Sequence, residues 1–164
     1  MFKLLTQPHR NQVVTPLEKA VSGNDCTSIK NLLQQAERVP MYLFDLAASL
    51  GHTEAFDCLF ALLPSAQKSF VITQTRVTHA SLVNKQFKMF EHLVYTHKCY
   101  FKVDSLIDGY NNGIDEAIRL YLNVIYNSSF ELMDSKQYTV CFIDNSQHEV
   151  DTQQLFKNFE DYIW

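Results

Sequence analysis

The sequence predicts an all-α fold, a helical solenoid of about four short helix pairs closed by a divergent C-terminal segment. Three observations carry that expectation. A helix–turn–helix pattern starts near residues 15, 42, 76 and 104, and a single such pair cannot bury its apolar face without neighbours. Only 4 Gly and 4 Pro among 164 residues leave little room for a turn-rich all-β fold. Hydrophobic residues at 46% against 20% charged suit one globular domain, and a disordered chain is excluded. Residues 1–126 hold the repeated units, with 1–14 as their N-terminal cap, and 127–164 form an acidic C-terminal cap or arm.

Taken in order, Phe2, Leu4 and Leu5 read as a short helix that covers the first unit. Unit one opens at Thr15, an N-cap, with Pro16 at the first helical position and Glu18 completing a capping box. Leu17, Ala20 and Val21 share one helical face, and Gly23-Asn24 supplies a turn that needs positive φ. Ile29, Leu32 and Leu33 then make the apolar face of a second helix. Unit two repeats the pattern from Tyr42 through Ala47-Ala48-Ser49-Leu50-Gly51-His52-Thr53-Glu54 to Leu59-Phe60.

Thr-Pro-Leu with a following Ala, then Ala-Ala-x-x-Gly-His-x-Glu and a closing pair of large apolar residues, resembles the ankyrin repeat. The resemblance implies a first helix on the concave side, a second behind it, and a projecting hairpin-like loop before the next unit. It also places His52 at the family's turn histidine, which ties neighbouring loops together. Unit three fits through Ser81, Met89, Phe90 and Leu93-Val94, with Asn84-Lys85 where the turn glycine would stand. Unit four fits through Leu106, Gly109, Gly113, Glu116, Ile118 and Tyr121-Leu122. Unit starts are 27, 34 and 28 residues apart, against about 33 for the family. Simple turns are therefore expected after units one and three, and a full-length loop only at 64–75. The resemblance covers roughly residues 12–125.

The tail departs from the pattern. Tyr138–Ile143 is β-branched and aromatic and reads as a strand. Leu155, Phe156, Phe159 and Ile163 fall at helical spacing after an Asp151 cap and predict a final helix. Two readings stay open: a cap packed on the last unit, or an arm that orders on a partner.

Composition excludes several functions. Net charge is −4, which argues against nucleic acid as a partner, and the longest apolar runs are too short to span a membrane. Cys26, Cys58, Cys99 and Cys141 lie 32, 41 and 42 apart without a CxxC pair, which suits reduced thiols in the cytoplasm. No phosphate-binding glycine loop occurs. His92, His97 and Cys99 stand close together, but the i, i+5 spacing does not align the two histidines on an α-helix and a fourth ligand is missing. No cofactor, metal or catalytic set is expected. The alternative is a small metal-dependent or enzymatic function in the tail or the His92–Cys99 segment.

The resemblance implies a non-enzymatic protein–protein interaction module or adaptor, monomeric unless bound, that meets its partner through the concave first helices and loop tips. Stand-alone ankyrin proteins this short resemble those of intracellular bacteria and large DNA viruses, which adds a delivered effector or inhibitor acting in host cytoplasm. The candidate contact residues are Tyr42, Ser49, Leu50, Arg76, Lys98, Tyr100, Lys102, Tyr110, Asn111 and Asn112. Residues 68–102 carry six Lys or Arg against the single Glu91, so the partner is expected to present an acidic surface.

Overall fold

Thr15 starts the first helix as its side chain requires: Oγ1 accepts from the Glu18 N–H at 3.1 Å, ahead of α1 (Pro16–Ser22). Asp25 does the same for α2 (Cys26–Leu33), accepting from the Ser28 N–H at 3.1 Å and its hydroxyl at 2.7 Å. In the computed structural model the described residues are 3–5, 15–34, 38–111, 113–126, 129–134, 136 and 138–143. Further helices are α3 (Tyr42–Leu50), α4 (Thr53–Ala61), α5 (Ser65–Thr73), α6 (Arg76–Val83) and α7 (Phe87–Glu91). A π-helical turn (His92–Thr96) continues α7, and α8 (Val103–Asn111) and α9 (Asp115–Tyr126) follow. The described residues are mostly helical, with two small sheets.

The first helices of the pairs pack neighbour on neighbour, and the first two second helices do the same. Thus α1 packs on α3, α3 on α6 and α6 on α8, and α2 packs on α4. Each first helix also lies against its own second helix: α1 on α2, α3 on α4, α6 on α7 and α8 on α9.

The turn inside each pair is built alike. Asn24, Gly51, Lys85 and Gly113 have φ of 53°, 73°, 60° and 79°, and they recur at the unit spacings read from the sequence. One residue later, the N–H groups of Asp25, His52, Gln86 and Ile114 donate to the carbonyls of Ala20, Ala47, Ser81 and Gly109 at 2.9, 2.9, 2.8 and 3.0 Å. This six-to-one bond closes a Schellman-type end. Ala47 and Ser81 are fully buried and Ala20 nearly so. At Gly109 a Cβ would stand 3.2 Å from Ala117 Cβ and 3.3 Å from Leu82, so the row of small residues follows from the close approach of helices. In unit one the left-handed residue is Asn24 rather than Gly23, whose φ is −86°. Asn tolerates that region better than most residues, and here Asn24 Oδ1 reaches the next unit, accepting from the Ala55 N–H at 3.0 Å. His52 Nδ1 lies 3.1 Å from the Val21 carbonyl, a second bond between units one and two.

Three connections differ from expectation. Residues 64–75 are not a projecting loop: Pro64 sits at the N-cap and Ser65–Thr73 form α5, which buries Val71. Ala, Gln and Lys in its first turns are good helix formers, and Pro before a helix is a start signal as well as a break. Lys3–Leu5 form a strand where a short helix is expected, and Phe2 lies outside the described residues. There β1 (Lys3–Leu5) pairs in parallel with β2 (Arg38–Pro40), so the link after unit one carries a strand and is more than a turn. The link after unit three likewise carries β3 (Phe101–Lys102).

The strand read at 138–143 is present as β5 (Thr139–Phe142), and it is central. Together with β4 (Phe130–Asp134) it completes an antiparallel sheet of order β3-β5-β4, with Phe101 opposite Val140 and Phe130 opposite Phe142. Phe130, Val140 and Phe142 are buried in one cluster with Phe101, Leu106 and Leu120. The helix expected over 151–163 lies outside the described residues.

Candidate functional site

Two regions carry side chains that could act on another molecule. The first is the row of first helices. Leu50 and Val83 close α3 and α6, and both keep large apolar surface in water, 41% and 54% exposed. Ser49 beside Leu50 is half-buried and its hydroxyl donates to the Asp45 carbonyl at 2.8 Å. Asn111 is exposed at the end of α8. Asn112 lies outside the described residues, as does the side chain of Tyr110. Tyr42 is half-buried, and its hydroxyl donates to Glu18 Oε2 at 3.0 Å across the α1–α3 contact. Burial and then Glu18 push its phenol above its ordinary pKa of 10.0.

The expected cations do not form one free row. Arg76 is exposed but ion-paired with Asp45 Oδ2, which joins α6 to α3. Lys98 donates to the Tyr95 carbonyl at 2.7 Å and lies 4.1 Å from the centre of the Phe142 ring. Lys102 and Tyr100 are half-buried on and beside β3. Lys85 and Lys88 are exposed as well, at the α6–α7 turn and on α7.

Asp45 has a consequence for stability. Burial holds its carboxyl above the ordinary value of 3.8, with Arg76 acting in the opposite direction. A carboxyl raised in the native state takes up its proton there first as pH falls, so acid relieves the cost of burying it. Arg76→Ala should cost about 0.5–1 kcal/mol at pH 7, a value limited by solvent screening of the exposed guanidinium. The deficit should shrink toward pH 4, because the ion pair then matters less in the parent too. Urea midpoints at both pH values check this, and a deficit that grows with acid contradicts it.

The second region lies around the π-helical turn. An α-helix sets residues five apart on different faces, but His92–Thr96 is a π-helical turn, and five-residue spacing aligns there. His92 and His97 consequently both turn Nε2 toward Asp57 on α4. His92 Nε2 lies 2.8 Å from Oδ1 and 3.1 Å from Oδ2, and His97 Nε2 lies 2.6 Å from Oδ1. The two rings meet edge to face at 5.0 Å. His97 also packs on Phe56 and Phe60, with ring centres at 5.3 and 4.6 Å. Burial holds its pKa below the ordinary 6.5; Asp57 opposes that shift, and His92 and Lys68 add to it. Asp57 carries no motif of its own, and nothing in the sequence joins it to residues 35 and 40 positions later. Cys99, close to these histidines in sequence, is fully buried in the core, and burial pushes its thiol to about 12.

Set against family models, curated proteins and solved structures, the chain matches none of them. Among the described residues no helix is long and apolar enough to cross a membrane.

Proposed function

We propose that the chain is a short ankyrin-type solenoid that works as a protein-binding scaffold. Its partner seats across the first helices α1, α3, α6 and α8 and the turns that end them. One observation supports this reading above others: of the exposed large apolar side chains, Leu50 and Val83 stand at the ends of two first helices that pack on each other, α3 and α6. The repeating turn adds rigidity, so a partner meets a preformed face and little ordering entropy opposes binding. Activity by occupancy, as an adaptor or an inhibitor, follows from such a face without any catalytic group. The partner's centre is apolar, with polar contacts to Ser49 and Asn111 at its edge. Acidic groups on it would meet Lys85 and Lys88, and this contribution should weaken as salt rises.

The test is capture of a partner from lysate by the full chain, then binding of the purified partner to three variants. Leu50→Asp and Val83→Asp should each weaken it at least about tenfold, as apolar interface centres do. Leu62→Asp, equally exposed at the far end of α4, should leave it unchanged. Loss only in Leu62→Asp would place the partner on the second helices and reject the proposed face.

A further inference from the structure

We infer that Asp57, His92 and His97 form a binding site for one divalent transition-metal ion of the zinc class. Two imidazoles and a carboxylate are the ligand types such ions take, and three protein ligands leave room for water. The three ligand atoms lie within 4.8 Å of one another. Metal–ligand bonds of ~2.0–2.1 Å put neighbouring ligand atoms about 2.9 Å apart at right angles and about 3.3 Å apart at the tetrahedral angle. The contacts of 2.6, 2.8 and 3.1 Å to Asp57 already fall near that spacing, so small side-chain shifts admit an ion.

The surroundings favour a defined site. Phe56 and Phe60 wall His97 on its apolar side and fix the ring. Exposure rises from 12% at the His97 side chain through 24% at His92 to 45% at Asp57, so the cluster opens to solvent at its carboxylate. Without an ion, each Nε2 must carry a hydrogen to bond Asp57, whose oxygens only accept. On metal binding Nε2 gives up that proton, to an unprotonated Nδ1 of the same ring or to water, and takes the ion with its lone pair. The ion would clamp α4 to the π turn of the next unit and stabilise the folded chain by mass action. Lys68 of α5, near His97, opposes the added positive charge and limits affinity.

The full chain, stripped by chelator and dialysed, is titrated with zinc chloride by calorimetry at pH 7.5. One zinc per chain is expected, with the melting temperature raised, and the Nε2 nitrogen resonances of His92 and His97 should move together. Asp57→Asn, nearly isosteric and half-exposed, should weaken binding by about tenfold or more, as should His97→Gln, while Cys99→Ser leaves it intact. If His97→Gln loses its helical circular dichroism, Asp57→Asn and the nitrogen shifts decide alone. No binding heat at about 100 µM zinc would overturn the site, since the clamp would then have no use at ordinary concentrations. Undiminished binding by folded Asp57→Asn, or nitrogen shifts confined to other histidines, would overturn it equally.

Discussion

Phe56→Ala should lower the unfolding free energy by about 3–5 kcal/mol, much of the margin a domain of this size possesses. Phe56 is fully buried on α4 at the meeting of two units. Its ring stands edge-on to Phe44 at 5.4 Å, stacks on Phe60 at 5.8 Å and touches His97 at 5.3 Å. Deleting it removes the apolar area and leaves a cavity lined by side chains from three elements that cannot all collapse inward. The urea midpoint should fall without a change in slope. A loss under about 1 kcal/mol would mean that this contact between units is loose.

Gly51→Val should be the most damaging change at a turn, by about 2–3 kcal/mol. Gly51 has φ +73°, a region that costs an L-residue about 1–2 kcal/mol and a β-branched one more. A Cβ there would also stand 2.3 Å from Gln86 Oε1 and 3.0 Å from its Cδ, so Gln86 must move. Gly113 separates the two effects: φ is +79° but a Cβ would meet nothing within 4 Å. Gly113→Ala should therefore show the backbone penalty alone, about 1 kcal/mol, and Gly51→Ala should exceed it. Equal losses at the two sites, read from thermal or urea unfolding, would remove Gln86 from the account.

The helix pairs of units one and two are legible because their signals are local. A cap, a proline at the helix start and apolar spacing each act within a turn or two of chain. The third turn hides its register, since Lys85 adopts φ +60° where a glycine is expected, and only the row of Ala20, Ala47, Ser81 and Gly109 betrays it. Residues 64–75 mislead for the opposite reason: family loop length outweighs helix formers that the local pattern already contains. The β1–β2 pairing joins segments with 32 residues between them, and no hydrophobic alternation of three residues can announce it. The Asp57 cluster depends on a change of helical period at His92–Thr96, which apolar spacing does not encode.

Four helix pairs stack in one register, and amide hydrogen exchange tests that directly. Turn amides ordinarily exchange fast, but those of Asp25, His52, Gln86 and Ile114 each donate to the small-residue carbonyl of their own unit. All four should be protected by orders of magnitude over an unstructured chain, and the N–H groups of Asn24, Gly51 and Lys85 just before three of them, which donate to Val21, Ala48 and Leu82, should be protected with them. Protection at Gln86 and Ile114 matters most, because units three and four carry the weakest pattern. Free exchange at either, in a chain whose other helices remain protected, would contradict the stack.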